Sequence, residues 1–408
     1  MRTVPAEELA TVFGRLPDDP RVVASGNFAT PTVALGLLDT AVERYRLFVL
    51  NAQPGIPTRP GVTLETCFVG PGMRGQAELR YVPSRLSLAP LLFQKSLPPD
   101  AVIVHTSVVR DGTVSLGTEV NLLPAAIEAT RARGGIVVAQ ANSQMPYTFG
   151  DGVMPVDDLD FILEVDEPLV SPPPLELDDV SREIGARVAD RVLDGSTMQL
   201  GIGAVPDATL HALIQRRGLR VWSEMFSDGI LTLDAHGALD ADEPLTASFV
   251  FGSAQLYTWV DRNPRVRVLR TETTNDPARI AANPQLVSVN AALQVDLFGQ
   301  ANASRINARI YSGFGGQTDF VVGALHSAGG QALIALRSWH PRADCSTIIP
   351  LIDEPVTSFQ HTAVVTEHGV ATIFGRSQHE QARNLIEHTA HPSVHEELWE
   401  EAHALGLA

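Results

Sequence analysis

This sequence predicts an α/β fold made of two related open domains with mostly parallel sheets, on three observations. Short apolar runs alternate with longer amphipathic stretches and glycine turns, as strands do when helices cover a parallel sheet. The 408 residues exceed the roughly 250–300 at which one hydrophobic core usually stops growing. Finally, landmarks of the first half recur in the second at similar spacing.

Taken in order, strands are expected at residues 22–24, 48–50, 101–104 and 136–139, each an apolar run bounded by turn residues. The clearest break follows at residues 169–179, where Pro172, Pro173 and Pro174 stand together and acidic residues come next. Consecutive prolines continue neither a helix nor a central strand. The expected domains are therefore residues 1–175 and 176–408. Beyond the break, residues 198–200 run into Gly201, and Pro206 with Asp207 opens a helix expected over 208–215. Further strands are expected at 219–222, 286–289 and 332–335.

The internal parallels support duplication. Gly26 is followed by Pro31 and a strand ending near Asn51; Gly201 is followed by Pro206 and a strand ending near Glu224. Gly117 leads through a helical stretch to Gly134 and Gly135 and the strand at 136–139. Gly313, Gly315 and Gly316 lead likewise to Gly329 and Gly330 and the strand at 332–336. Each parallel sheet would carry its ligand-facing loops at the carboxyl ends of its strands. Asn51 then stands where the second copy has Glu224.

A formal net charge of −17 disfavours a nucleic-acid backbone or an anionic membrane as main partner. A small anion stays open, because a few arginines and N–H-rich loops hold one locally. Hydrophobic residues at 44% and charged residues at 19% are an ordinary globular balance. Cys67 and Cys345 are the only cysteines, a count that fits a reducing cytoplasm. The acidic N-terminus has no apolar signal core, and no apolar run approaches the 18 or so residues of a membrane span. A cytoplasmic protein is expected.

Three segments bear on chemistry. Ser223-Glu224-Met225 places one carboxylate between a strand end and the turn at Gly229. Upstream, Gly201, Ile202, Gly203, Ala204 and Val205 follow a strand and precede a helix; the third glycine of a dinucleotide fingerprint is missing. Downstream, Gly313, Phe314, Gly315, Gly316 and Gln317 pack three glycines into four positions, a density that answers to an unusual backbone path or a close ligand. Read one at a time, these are a solvated carboxylate, a strand–turn–helix and a sharp turn. Read together, they point to carboxylate attack on an activated acyl group, with backbone N–H groups facing the oxygen that becomes charged. No Gly-x-Ser-x-Gly elbow occurs, and neither cysteine has a nucleophile's local signature. His388, His391 and His395 have near-helical spacing, but Pro392 interrupts it and no carboxylate or cysteine completes a metal motif.

The chain resembles the acetyl-CoA hydrolase/transferase family, and within it the 4-hydroxybutyrate CoA-transferase-like branch of family I CoA-transferases. The likeness is carried by residues 194–208, 223–229, 289–300, 312–320 and 365–371 and by Ala390-His391-Pro392; it is dense from about residue 181 onward and thinner before, where residues 142–146 and 150–151 still match. It implies a tandem repeat of two CoA-transferase-like domains, the second carrying the reactive carboxylate. It also implies that Glu224 forms a glutamyl-CoA thioester, and that the two glycine segments bind CoA and polarise acyl carbonyls. Asn290 and Glu367 would assist polarisation and positioning. Coenzyme A would be a substrate, with no tightly bound cofactor and no metal, and the assembly a homodimer.

The acyl-CoA and the small carboxylic acid are left open among acetate, propionate, 4-hydroxybutyrate and succinate types. Hydrolysis of acyl-CoA is the rival activity, and a non-catalytic CoA-binding regulatory protein the rival from another class. Arg74, Arg337 and Arg342 are candidate phosphate contacts. Three departures from the family pattern bear on specificity: Trp222 where relatives often have histidine, the loop 108–111, and the arginine-less segment 357–362.

Overall fold

The computed structural model describes residues 2–173 and 176–408. Its chain forms two compact units. One comprises Met1–Pro172, Leu245–Thr274 and Tyr311–Gly315, the other Pro173–Pro244, Asn275–Ile310 and Gly316–Ala408. Two segments from late in the chain thus belong to the first unit, which no periodicity announces. Pro174 and Leu175, where the sequence places the boundary, lie outside the described residues.

The first unit holds an eight-stranded sheet: β1 (Arg2–Thr3), β2 (Arg21–Ala24), β3 (Tyr45–Val49), β4 (Val62–Thr66), β5 (Leu79–Tyr81), β6 (Ala101–Ser107), β7 (Ile136–Asn142) and β8 (Phe161–Val165). Its order is β1-β8-β7-β6-β2-β3-β4-β5, with every pair parallel. All seven residues of β6 are buried. Its Ala-Val-Ile-Val run is what a parallel strand covered on both faces requires. Helix α1 (Thr32–Ala41) joins β2 to β3, starting just after Pro31, and α2 (Leu123–Ala132) leads into β7.

The second unit holds a six-stranded sheet: β9 (Thr197–Gln199), β10 (Arg220–Val221), β11 (Leu286–Asn290), β12 (Gln331–Ala335), β13 (Ala363–Val365) and β14 (Val370–Thr372). The order is β10-β9-β11-β12-β13-β14, parallel except for the antiparallel pair β13–β14. Helix α3 (Asp179–Ala189) is capped by Asp178, whose carboxylate accepts from Ser181 N at 2.9 Å. Helix α4 (Ala204–Ala212) follows β9, and α5 (Gln317–His326) precedes β12. Helix α4 starts four residues before its expected position, because Gly203 takes φ +119° and turns the chain directly into the helix. Pro206 then sits within the first turn, where its missing N–H costs little.

The two sheets share one internal order. In the first unit β8-β7-β6-β2-β3 are neighbours, in the second β13-β12-β11-β9-β10. Numbered by their sequence in each unit, both run 5-4-3-1-2. The strand-level parallels in the sequence therefore reflect two copies of one topology. In each copy the winding direction reverses between the first and third strands. Such a switch point opens a crevice at the carboxyl ends of the strands. In the second unit that point is β9–β11. Among the described residues no helix is long and apolar enough to cross a membrane. Cys67 is buried and Cys345 is exposed, and the two are not joined in a disulfide.

Candidate active site

Glu224 lies three residues beyond the end of β10, at the carboxyl edge of the sheet. The residue keeps part of its surface, but its carboxyl group is packed away from solvent. Asn275 Nδ2 donates to Oε2 at 3.3 Å, and the Gly316 N–H donates as well. Gly316 caps α5, so the carboxylate also stands at the positive end of that helix. Burial opposes these donors and wins. It pushes the carboxyl up from 4.5 to about 7, and the negative charge of Asp319, a fully buried residue of the first turn of α5, adds to the rise. A Cβ at Gly316 would overlap both Glu224 Oε2 and Asn275 Nδ2. Only glycine at 316 leaves these two side-chain ends where they are. A half-ionised carboxylate held by amide donors in a dry setting is suited to attack a carbonyl carbon, not to cap a strand in water.

Asn290 ends β11, so the carboxyl ends of three adjacent strands carry Glu224, Gly201 and Asn290. Its Nδ2 donates to Ser288 Oγ at 2.8 Å, and Ser288 Oγ donates to Gln199 Oε1 at 2.6 Å. Glu367 follows β13 and accepts from Ser338, through the backbone N–H at 3.0 Å and through the hydroxyl at 2.5 Å. Arg187 Nε donates to the Glu367 carbonyl oxygen at 3.2 Å. Asn290 and Glu367 are thus each anchored by partners of their own, and neither is hydrogen-bonded to Glu224 among the described residues.

Gly201, Ile202 and Gly203 form the turn from β9 into α4, which Ala204 and Val205 open; Ile202 is 44% exposed and Gly203 has open space where a Cβ would stand. The glycine cluster divides. Gly313, Phe314 and Gly315 belong to the first unit, Gly316 and Gln317 to the second. In the first unit Gly313 pairs with Phe68 in an antiparallel bridge, the Leu86 N–H donates to Gly315 O at 3.1 Å, and Gly315 takes φ +55°. Gln317 Nε2 reaches Ala291 O at 3.5 Å.

Other sequence candidates are occupied. Arg74 donates to Tyr311 O at 2.9 Å and stacks on the Tyr311 ring, and Arg337 pairs with Asp178 and donates to Ser181 Oγ at 3.0 Å. His391 Nδ1 meets Ser393 Oγ at 2.7 Å, and His395 Nε2 meets Ala390 O at 3.2 Å. Trp222 packs against the core around Ile280, Leu286 and Phe320. The 108–111 departure leads into a tight turn closed by Arg110 and Thr113, with Asp111 at φ +47° and Gly112 at φ +73° at its centre. Sequence reasoning missed Asn275, Asp319, Gln199, Ser288 and Ser338. Asp319 lies inside the glycine-rich segment and was within reach; Asn275 carries no local signal at all.

The family model of the acetyl-CoA hydrolase/transferase N-terminal domain matches residues 60–172, and that of the C-terminal domain residues 252–402. The chain is 37% identical over 333 residues to the 4-hydroxybutyrate coenzyme A transferase of Clostridium kluyveri, covering 79% of this chain and 76% of that one. The chain belongs to the acetyl-CoA hydrolase/transferase family. Another relative, the succinyl-CoA:acetate/propanoyl-CoA:succinate CoA transferase of Fasciola hepatica, is 34% identical over 95% of this chain and 85% of its own length. Among solved structures, RipA from Yersinia pestis superposes with a TM-score of 0.92 at 26% identity, covering 100% of this chain and 98% of that chain. Within this family fold, Glu224 follows β10 on the carboxyl edge of the second sheet, one strand from the β9–β11 switch point where the topology predicts the ligand crevice.

Proposed function

We propose that the protein is a CoA-transferase that moves CoA between an acyl-CoA and a short-chain carboxylic acid through a covalent thioester on Glu224. The observation that carries this reading is the Glu224 carboxyl itself: shielded from solvent, raised to about 7, and held between Asn275 and the Gly316 N–H. Its carboxylate oxygen attacks the thioester carbonyl, and the C–S bond breaks to give an acyl-glutamyl anhydride and CoA thiolate. The thiolate then attacks the glutamyl carbonyl and expels the first acid as its carboxylate, leaving Glu224 as the CoA thioester. An acceptor carboxylate runs both steps in reverse and departs as its own CoA ester. Dividing the exchange in this way gives ping-pong kinetics.

Each addition places negative charge on a carbonyl oxygen. A positioned donor stabilises such a charge by roughly 3–4 kcal/mol where water is excluded. The N–H groups of Gly201, Ile202, Gly203, Ala204 and Val205, those of Gly313, Phe314, Gly315, Gly316 and Gln317, and the Asn290 carboxamide are the donors assigned here to CoA and to the acyl oxygens. Glu367 serves to position the substrate. The acids named for the relatives, 4-hydroxybutyrate, succinate, acetate and propanoate, support a short-chain carboxylic acid as acceptor.

The test is to incubate the protein with an acyl-CoA, reduce with borohydride, digest, and weigh the peptide bearing Glu224. The expected result is a CoA adduct, or its reduced alcohol, on Glu224 alone. Absence of both during turnover sinks the covalent route. CoA released at the transfer rate without any acceptor acid would mark a hydrolase instead.

A further inference from the structure

Gln199, Ser288 and Asn290 form a hydrogen-bonded row on one face of the second unit's sheet. Gln199 closes β9 and is in register with Ser288 of β11. Asn290 lies two residues further along β11, so its side chain leaves the strand on the same face as that of Ser288. Ser288 is completely buried, Gln199 is buried, and Asn290 is half-buried. The Ser288 hydroxyl donates to Gln199 Oε1 at 2.6 Å; Asn290 Nδ2 donates to Ser288 Oγ at 2.8 Å and stands 3.4 Å from Gln199 Oε1.

A hydroxyl has one proton to give. Ser288 spends it on Gln199 and therefore accepts from Asn290. With Gln199 Oε1 turned to Ser288, the Asn290 carboxamide cannot exchange its nitrogen and oxygen ends without setting its oxygen against two acceptors; the exchange requires the Gln199 carboxamide to reverse at the same time. Desolvating polar side chains at the centre of a sheet is unfavourable unless every partner is satisfied. An apolar pair at 199 and 288 would serve packing as well, so the row is explained by what it does to Asn290.

We infer that Gln199 and Ser288 are positioning residues that clamp one N–H of Asn290 and keep the other for the acyl carbonyl oxygen. This rests on the carbonyl-polarising role proposed for Asn290. Neither residue touches the reacting atoms; each acts through the carboxamide.

The experiment combines kinetics of the full chain with crystal structures of the variants. In Ser288→Ala, kcat for CoA transfer falls about tenfold, the effect of one misdirected hydrogen bond, while KM for the acyl-CoA changes less than about twofold. Ser288→Thr, which keeps the hydroxyl, retains most of the rate. Asn290→Ala loses at least as much as Ser288→Ala, and adding Ser288→Ala to it costs nothing further. The crystal structure of Ser288→Ala shows the carboxamide rotated or in two conformers. Equal losses from Ser288→Ala in both backgrounds would mean a structural role and overturn the inference, as would an unmoved carboxamide in that crystal structure. If Glu224→Ala still transfers CoA, the chemistry proposed above fails by itself, and the carboxamide orientation in Ser288→Ala still decides the clamp.

Discussion

Replacing Glu224 by glutamine removes an ionisation that burial opposes while keeping the shape of the side chain. The carboxyl is pushed from 4.5 to about 7, by burial first and by Asp319 as well, against the Asn275 and Gly316 donors. At about 1.36 kcal/mol per pH unit, ionising it costs roughly 3 kcal/mol more in the folded chain than in the unfolded one. The stability contributed by the neutral carboxyl is complete below 4.5 and lost as the pH rises through about 7. Glutamine does not titrate. Relative to wild type, Glu224→Gln therefore gains about 2.5 kcal/mol in unfolding free energy between about pH 5 and about pH 8. Urea unfolding of both proteins at the two pH values, followed by tryptophan fluorescence, measures this. A difference that stays constant with pH would refute the reasoning, and one of opposite sign would mean that the two donors outweigh desolvation. The same proton governs attack, so kcat/KM for CoA transfer falls about tenfold per pH unit below about 7. An acid limb centred near 4.5 would show that water reaches the carboxyl.

Two further outcomes follow from the packing. Gly316→Ala forces a methyl group against Glu224 Oε2 and Asn275 Nδ2. Transfer should fall by about a hundredfold or more, the usual result of an ångström-scale shift in a reacting group, with the circular dichroism of the wild type; activity within about threefold of wild type would show that the carboxyl has room to move. His361 is fully buried, both ring nitrogens lack a partner among the described residues, and burial lowers its pKa to about 4. Its stability contribution is complete above 6.5 and lost as the pH falls towards 4. His361→Phe should therefore reduce the loss of unfolding free energy between about pH 8 and about pH 5 by about 2 kcal/mol, and an unchanged pH dependence in urea unfolding would count against a neutral buried ring.

Much of the architecture was legible because strand and helix signals are local. The runs at 101–104, 136–139 and 332–335 all became strands, since a parallel strand buried on both faces needs consecutive apolar residues. The start of α4 was placed late. Pro206 marks an opening in the sequence, whereas Gly203, free to take positive φ, allows the helix to begin at Ala204. At the site, Glu224 and the glycines were legible from their neighbours along the chain. The surroundings of Glu224 were not. Asn275 stands 51 positions away, and nothing in its neighbours Thr274 and Asp276 points to a carboxylate. Trp222, two residues before Glu224, packs against the core that holds Ile280, Leu286 and Phe320, a setting its neighbours in the chain do not announce.

The sequence by itself determined the α/β class, the repeated strand pattern and the residue types available for acyl chemistry, because periodicity, turn residues and short motifs are written within a few positions of one another. Tertiary structure decided which of those groups are dry and what they face. Desolvation of Glu224, its distance from Asn275, the exclusion of any Cβ at Gly316 and the row from Gln199 to Asn290 all depend on strands and helices far apart in the chain closing on one another. A pKa follows from the surroundings of a group, and those exist only once the sheet has formed.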